Sequence, residues 1–201
     1  PGAHLIRQNG HGMDDIDPSE VIELAGGARM EVRPTSFADG ERICALYETL
    51  SIVDRHRRLF GAFKPHLEWC QVWADVASRG GFGVIAIVHR DGQPDEVAGE
   101  AGYAIRDDGD GDLAVTVAPN WRGWRGAYLV DMLGRHAGAV GLANLQAEVL
   151  LENGPMLSLL RRRDPIALGH DSGIVRLTIG TVGPVPTWPP RERRPRVLVE
   201  V

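Results

Sequence analysis

Arg122-Gly123-Trp124-Arg125-Gly126-Ala127 combines within six residues the two things needed to hold a phosphorylated group. Glycines let successive backbone N–H groups approach an anion closely, and arginines neutralise its oxygens with forked hydrogen bonds. The hexapeptide follows an alternating stretch, residues 112–117, and opens a segment with helical spacing. Its N–H groups would therefore stand at a helix N-terminus, where partial positive charge attracts anions. A phosphate-bearing cofactor is the expected ligand, because a plain strand-to-helix turn has no need of arginines interleaved with its glycines. Further on, Asn153 precedes Gly154-Pro155 and is placed to cap a helix that tolerates proline in its first turn. Glu100 stands inside Val97-Ala98-Gly99-Glu100-Ala101-Gly102-Tyr103, and a carboxylate in so apolar a run is a candidate acid or base.

The elements that must position these residues follow from periodicity and punctuation. Residues 1–27 are rich in Gly, Asp and His with one apolar patch at 21–24, and read as an N-terminal tail or loosely docked segment. Residues 29–33 alternate as a strand that Pro34 stops. Ile43, Cys44, Leu46, Tyr47 and Leu50 fall at helical spacing over 37–50. A second helical region over 51–76 is interrupted near Gly61 and Pro65, and Trp69 and Trp73 share one face of it. Strands are predicted over 83–88, 96–105 and 112–117, with a polar hairpin loop at 107–111. A helix over about 125–140 puts Val130, Leu133, Ala137 and Val140 on one stripe. Strands over 145–151 and 173–179 flank the helix that Asn153 caps. Residues 184–201 form a Pro-rich arm ending in an apolar stretch able to pair as an edge strand, here or on a second copy of the chain as a homodimer.

Composition narrows the function class. At 201 residues and 43% hydrophobic content the chain suits one domain, residues 28–183, between its tail and its arm. Its 22 basic and 27 acidic residues leave a net charge of -5, which argues against a whole-surface grip on nucleic acid. Cys44 and Cys70 lie in apolar helical segments and are expected as two buried thiols, pointing to a reducing cytoplasm. No apolar run approaches the roughly 20 residues of a membrane-spanning helix, so no membrane role is expected. His56, His66, His89, His136 and His170 show no metal-ligand spacing with either cysteine, and no metal is expected.

The order of strand, Arg/Gly loop, helix, strand, Asn and helix resembles the acyl-CoA-binding half of the GCN5-related N-acetyltransferases (GNAT). That family's loop reads Gln/Arg-x-x-Gly-x-Gly/Ala; Arg122 and Ala127 take its first and last places, and Arg125 stands where the middle glycine would be. Residues 50–60 also look like the helix-linking segment of bacterial protein-lysine acetyltransferases. The resemblance implies an α/β (α+β) GNAT fold: a central mixed, mostly antiparallel twisted sheet, splayed at the acyl-CoA site and flanked by helices. It implies acetyl-CoA as co-substrate and a primary amine as acceptor, a protein lysine or a small amine such as an aminoglycoside, polyamine or amino acid. A non-catalytic CoA-responsive module is the alternative of another class.

The resemblance also assigns roles. The pantetheine would pair with backbone at Val115, Thr116 and Val117. The diphosphate would sit on Arg122, Gly123, Trp124, Arg125, Gly126 and Ala127, and Asn153 would contact the cofactor. Asp112 occupies the family's base position, with Glu100 as its competitor. The family's tyrosine acid falls on Leu160, which leaves Tyr103 and Tyr128 as the remaining candidates to serve the leaving thiolate, while Ser158 could orient a water. Arg161, Arg162 and Arg163 could meet nucleotide phosphates, and Arg55, Arg57 and Arg58 an acidic patch on a protein.

Overall fold

A computed structural model of the chain describes residues 19–181. The tail up to residue 18 and the arm at 184–201 lie outside the described residues. In chain order the strands are β1 (Glu20–Glu23), β2 (Arg29–Pro34), β3 (Phe82–His89), β4 (Glu96–Ile105), β5 (Gly111–Val117), β6 (Asn144–Leu150), β7 (Ala167–Asp171) and β8 (Ile174–Gly180). Helices α1 (Gly40–Glu48), α2 (Ile52–Leu59) and α3 (Leu67–Ala74) come between β2 and β3, α4 (Trp124–Ala139) between β5 and β6, and α5 (Gly154–Arg161) between β6 and β7. All eight strands form one sheet in the order β1-β2-β3-β4-β5-β6-β8-β7.

The continuous apolar run of β3 has a simple cause: it is buried on both faces. Val84, Ala86 and Val88 pack into the core shared with α4 and α5, while Ile85 and Ile87 pack with Ile43, Tyr47 and Cys70 of α1 and α3. From β1 to β5 every pairing is antiparallel. Strand β5 runs parallel to β6 but pairs with it only at Gly111–Leu145 and Asp112–Gln146, whereas β6 pairs with β8 along its full length. Past Asp112 the two strands part, and β5 keeps a backbone edge that no strand among the described residues occupies.

Four expectations are corrected. The apolar patch at 21–24 is not loose: it contributes strand β1, paired to β2, with Ile22 in the core and Glu20 receiving hydrogen bonds from Tyr128 Oη at 2.6 Å and Arg135 Nη2 at 2.9 Å. Cys44 and Cys70 are not free thiols. They are joined as a disulfide between α1 and α3, with Cα atoms 5.8 Å apart, and the step from free thiols to a reducing compartment loses its premise. Strand β7 is additional. All five of its residues are exposed, so it carries no buried-face alternation to betray it. Val140, placed on the buried stripe of α4, is 51% exposed because the helix ends just before it.

Candidate functional site

The parting of β5 from β6 opens a cleft of about 1090 Å³, walled by α2 and the loop after it, the start of α4, and α5. At one end lies the hexapeptide. Gly123 has φ 108° and ψ -129°, a conformation only glycine adopts readily, and it delivers the chain into α4. The N–H groups of Gly123, Arg125 and Gly126 precede the first one that the helix itself uses, that of Ala127. Gly126 is also a packing position: a Cβ there would stand 3.3 Å from Leu159 Cδ1.

The arginines of the hexapeptide divide. Arg122 lines the cleft, and its Nη2 donates to Asp54 Oδ2 of α2 at 2.8 Å. Burial opposes charge on Asp54, but hydrogen bonds from Ser51 and Arg122 outweigh it and hold the carboxyl below its ordinary range. Arg125 is not among the lining residues. Its guanidinium lies over Trp121 and Trp124, 5.3 and 4.7 Å from the ring centroids, and burial lowers its pKa. The middle position of the loop thus holds a stacked cation where a glycine would leave space. Trp124, Gly126 and Ala127 line the cleft as well.

Val115, Thr116 and Val117 border the cleft along the free edge of β5, where an extended ligand can pair with backbone amides. Thr116 turns its side chain to the opposite layer, where it accepts from Arg58 Nε at 3.0 Å and shares a hydrogen bond of 3.2 Å with Tyr47 Oη. Asn153 both lines the cleft and caps α5, its Oδ1 accepting from Met156 N at 3.3 Å.

The two candidate carboxylates sit in different surroundings. Asp112 lines the cleft where the strands diverge and makes no ion pair or side-chain hydrogen bond among the described residues. Although its surface is exposed, protein crowded around it disfavours its charge. Arg106 and Arg58 pull against this and Glu148 adds to it, and the net result is a raised pKa. Glu100 is 1% exposed and is not a lining residue. Its oxygens accept from Tyr47 Oη at 3.0 Å and Trp73 Nε1 at 2.7 Å, with Arg58 Nη2 at 3.5 Å. The carboxylate that looked out of place in an apolar strand is the centre of a buried polar cluster.

Other candidates move out of the cleft. Leu160 is fully buried in the core. Tyr103 bonds His136 Nδ1 at 2.9 Å, and Tyr128 bonds Glu20; neither lines the cleft, whereas Ser158 does. Arg163 binds Asp131 and the Ala127 carbonyl, locking α5 to α4, which leaves Arg162 as the exposed lining cation of that triplet. On α2, Arg55 is turned inward to the Leu50 carbonyl and Arg58 to Glu100, so two of the three arginines meant for an acidic patch face the protein. Sequence reading did not single out Asp54, Glu148, Phe60 or Phe63 as cleft residues. The left-handed backbone at Phe60 leaves no mark in periodicity, although the adjacent Gly61 marked a break. Among the described residues there is no group of three or more side chains suited to a metal ion, and no helix long and apolar enough to cross a membrane.

No protein-family model matches the chain, and no curated protein matches it. Solved structures do. The GNAT domain of S. lividans PAT superposes with a TM-score of 0.69 at 20% identity, covering 81% of this chain and 97% of that one. The ribosomal-protein-alanine N-acetyltransferase of Brucella melitensis gives a TM-score of 0.58 at 22% identity over 73% of this chain and 97% of that one. The yncA structure from Salmonella typhimurium, with its cofactor acetyl-CoA, gives 0.60 at 16% identity over 79% and 97%. With the mixed sheet, the splay after Asp112 and the flanking helices, these likenesses establish that the chain has the GCN5-related N-acetyltransferase fold.

Proposed function

We propose that the protein is an acyl-CoA-dependent N-acetyltransferase that moves the acetyl group of acetyl-CoA to a primary amine, the side-chain amine of a protein lysine. The observation that carries this reading is the cleft itself. Between diverging strands it joins the glycine-bearing N-terminus of α4, where Gly123 and Gly126 line the opening, to the carboxylate of Asp112, which makes no ion pair among the described residues. The chain's groups suit the cofactor: Gly123 to Gly126 and Arg122 for a diphosphate, and the free edge of β5 for amide groups. Acetyl-CoA supplies an activated acyl carbon and a thiolate leaving group. A lysine of ordinary pKa ~10.4 is almost wholly ammonium at neutral pH, at a cost of roughly 4 to 5 kcal/mol for the attacking form. Asp112 takes the ammonium proton, directly or through a water. The freed amine forms the C–N bond, the C–S bond breaks with its electron pair on sulfur, and the second proton shed by the amide nitrogen passes through water to that thiolate, which leaves as the free thiol. Backbone N–H groups at the splay steady the developing oxyanion.

A protein acceptor, as distinct from lysine in particular, is supported by the name of the Brucella neighbour, a ribosomal-protein-alanine N-acetyltransferase. Two other readings rest on single observations. The carboxylate of Asp112 at the cleft favours a small cationic amine, and buried Leu160 at the family's tyrosine position favours a CoA-responsive module without turnover. Incubation with acetyl-CoA and panels of lysine peptides and small amines, followed by free-thiol release, separates them. Thiol release with peptides is the expected result. Release with small amines alone, or none despite calorimetric binding of coenzyme A, selects a rival; no heat with coenzyme A at millimolar concentration removes the cofactor reading altogether.

A further inference from the structure

The wall of the cleft formed by the end of α2 and the loop after it carries an aromatic surface that acetyl transfer by itself does not require. Phe60 ends α2 with φ 54° and ψ 19°, in the left-handed region. Among the described residues the other non-glycine positions with positive φ are Asp164 and Ser172, both small and polar; Phe60 is the one bulky side chain held there. Such a backbone is costly for a large side chain, and Gly61, which would bear it freely, comes one residue later. The core does not compensate, because Phe60 is 42% exposed. What the conformation achieves is a ring on the cleft.

Phe63 repeats the pattern. It is 52% exposed and lines the same wall. A Cβ at Gly61 would lie 3.0 Å from Phe63 Cδ1, so the glycine leaves room for this ring. Trp69, also on the cleft, is held edge-on to Tyr47 with ring centroids 5.7 Å apart. Charges on this side are largely matched within the protein: Arg58 with Glu100, Arg57 and Arg122 with Asp54, and Glu148 with Arg176. Asp112 remains unmatched, and Arg162 stands apart on the chain that leaves α5, whose Leu159 packs on Gly126.

We infer that Phe60 and Phe63 form a specificity subsite for an apolar side chain adjacent to the acceptor lysine of a protein segment, while that lysine's ammonium is drawn to Asp112. The inference rests on the acetyltransferase reading of the cleft and extends it to the acceptor. A polyamine or aminoglycoside would meet these rings only with its ammonium groups, by cation–π contact, whereas a peptide with Leu or Phe beside its lysine buries apolar surface there.

The test uses fluorescein-labelled lysine peptides that differ only in having Leu or Ser beside the lysine. Their binding to the full chain in saturating coenzyme A is read by anisotropy, and their KM by thiol release. The wild type should prefer the Leu peptide about tenfold in both readouts. Phe60→Gly should bring the ratio close to one while raising Tm, since it removes the ring and relieves the backbone together, a pairing that a merely structural residue would not give. Phe63→Ala should reduce the ratio as well. Equal affinity of the wild type for both peptides, an unaltered ratio in Phe60→Gly, or acetylation of small amines without peptide binding would overturn the subsite. Failure of the acetyltransferase reading looks different: no thiol release with any amine, even where anisotropy still reports the Leu preference.

Discussion

Asp112 and Glu100 make opposite predictions, and one pair of substitutions decides between them. Glu100→Gln keeps the shape but removes the charge facing Arg58, and turns an NH2 group toward Tyr47 Oη or Trp73 Nε1, both of which donate to the carboxylate. Breaking one side of a buried ion pair costs roughly 3 to 5 kcal/mol. One acceptor oxygen survives, so about 3 kcal/mol is expected, or a fall in Tm of roughly 6 to 12 °C for a chain of this size. Asp112 has no partner to orphan, and Asp112→Asn should alter stability by less than about 0.5 kcal/mol. Turnover reverses the order. Loss of a general base lowers kcat by roughly 100-fold or more, with coenzyme A affinity by calorimetry almost unchanged. The pH profile carries an independent signature. A base works deprotonated, so activity rises through the pKa of Asp112, which desolvation places above the ordinary 3.8, and this limb should vanish in Asp112→Asn. Thermal melts, calorimetry and pH-rate profiles on both variants provide the assay. An Asp112→Asn protein with wild-type turnover and an intact acid limb, beside a Glu100→Gln protein that melts normally but has lost activity, would refute the reasoning and make Glu100 the base.

Three further outcomes follow from single positions. Gly123→Ala meets no atom within 4 Å, yet it forces a Cβ onto φ 108°, so coenzyme A binding should weaken by about tenfold or more in calorimetry as the first N–H groups of α4 lose their aim. Gly99→Ala would put a Cβ 2.6 Å from the Thr116 carbonyl, which cannot yield without moving β5; a loss of roughly 1 to 3 kcal/mol in denaturant melts is expected. Asp39 is buried and accepts two hydrogen bonds from Arg33, at 2.8 and 2.7 Å; with burial outweighed by Arg33 and the Ser36 backbone, its pKa falls from 3.8 to about 2. A lowered carboxylate pKa stabilises the fold above the unfolded value and loses that contribution as pH falls through the folded one. Asp39→Asn should therefore cost roughly 2 kcal/mol at neutral pH, and its Tm should converge with the wild type's as pH drops toward 2.

Much of the fold was legible because each element repeats its reason locally. The predicted strand at 96–105 coincides with β4, and Asn153 caps α5 as its place before Gly154-Pro155 implied. Two elements escaped for the same cause. β1 is four residues long and β7 wholly exposed, and neither has enough buried alternation to distinguish it from loop. The hexapeptide was legible as a helix-opening loop, but not the fate of its arginines: Arg122 reaches across the cleft to Asp54, while Arg125 stacks on two tryptophans.

By itself the sequence determined where the chain turns, caps and alternates, and that an Arg/Gly turn would open a helix onto an anion. These are properties of neighbours in the chain, written in backbone conformation and in the periods of helix and strand. The tertiary structure decided which carboxylate faces the cleft. Asp112 and Glu100 are both single acids on strands, and only the parting of β5 from β6 and the packing of α1, α2 and α3 leave one at the opening and enclose the other among Tyr47, Trp73 and Arg58. It also brought Cys44 to Cys70 and Phe60 to the cleft that Asp112 lines, because contacts between residues far apart in the chain are fixed by how layers pack and leave no local pattern.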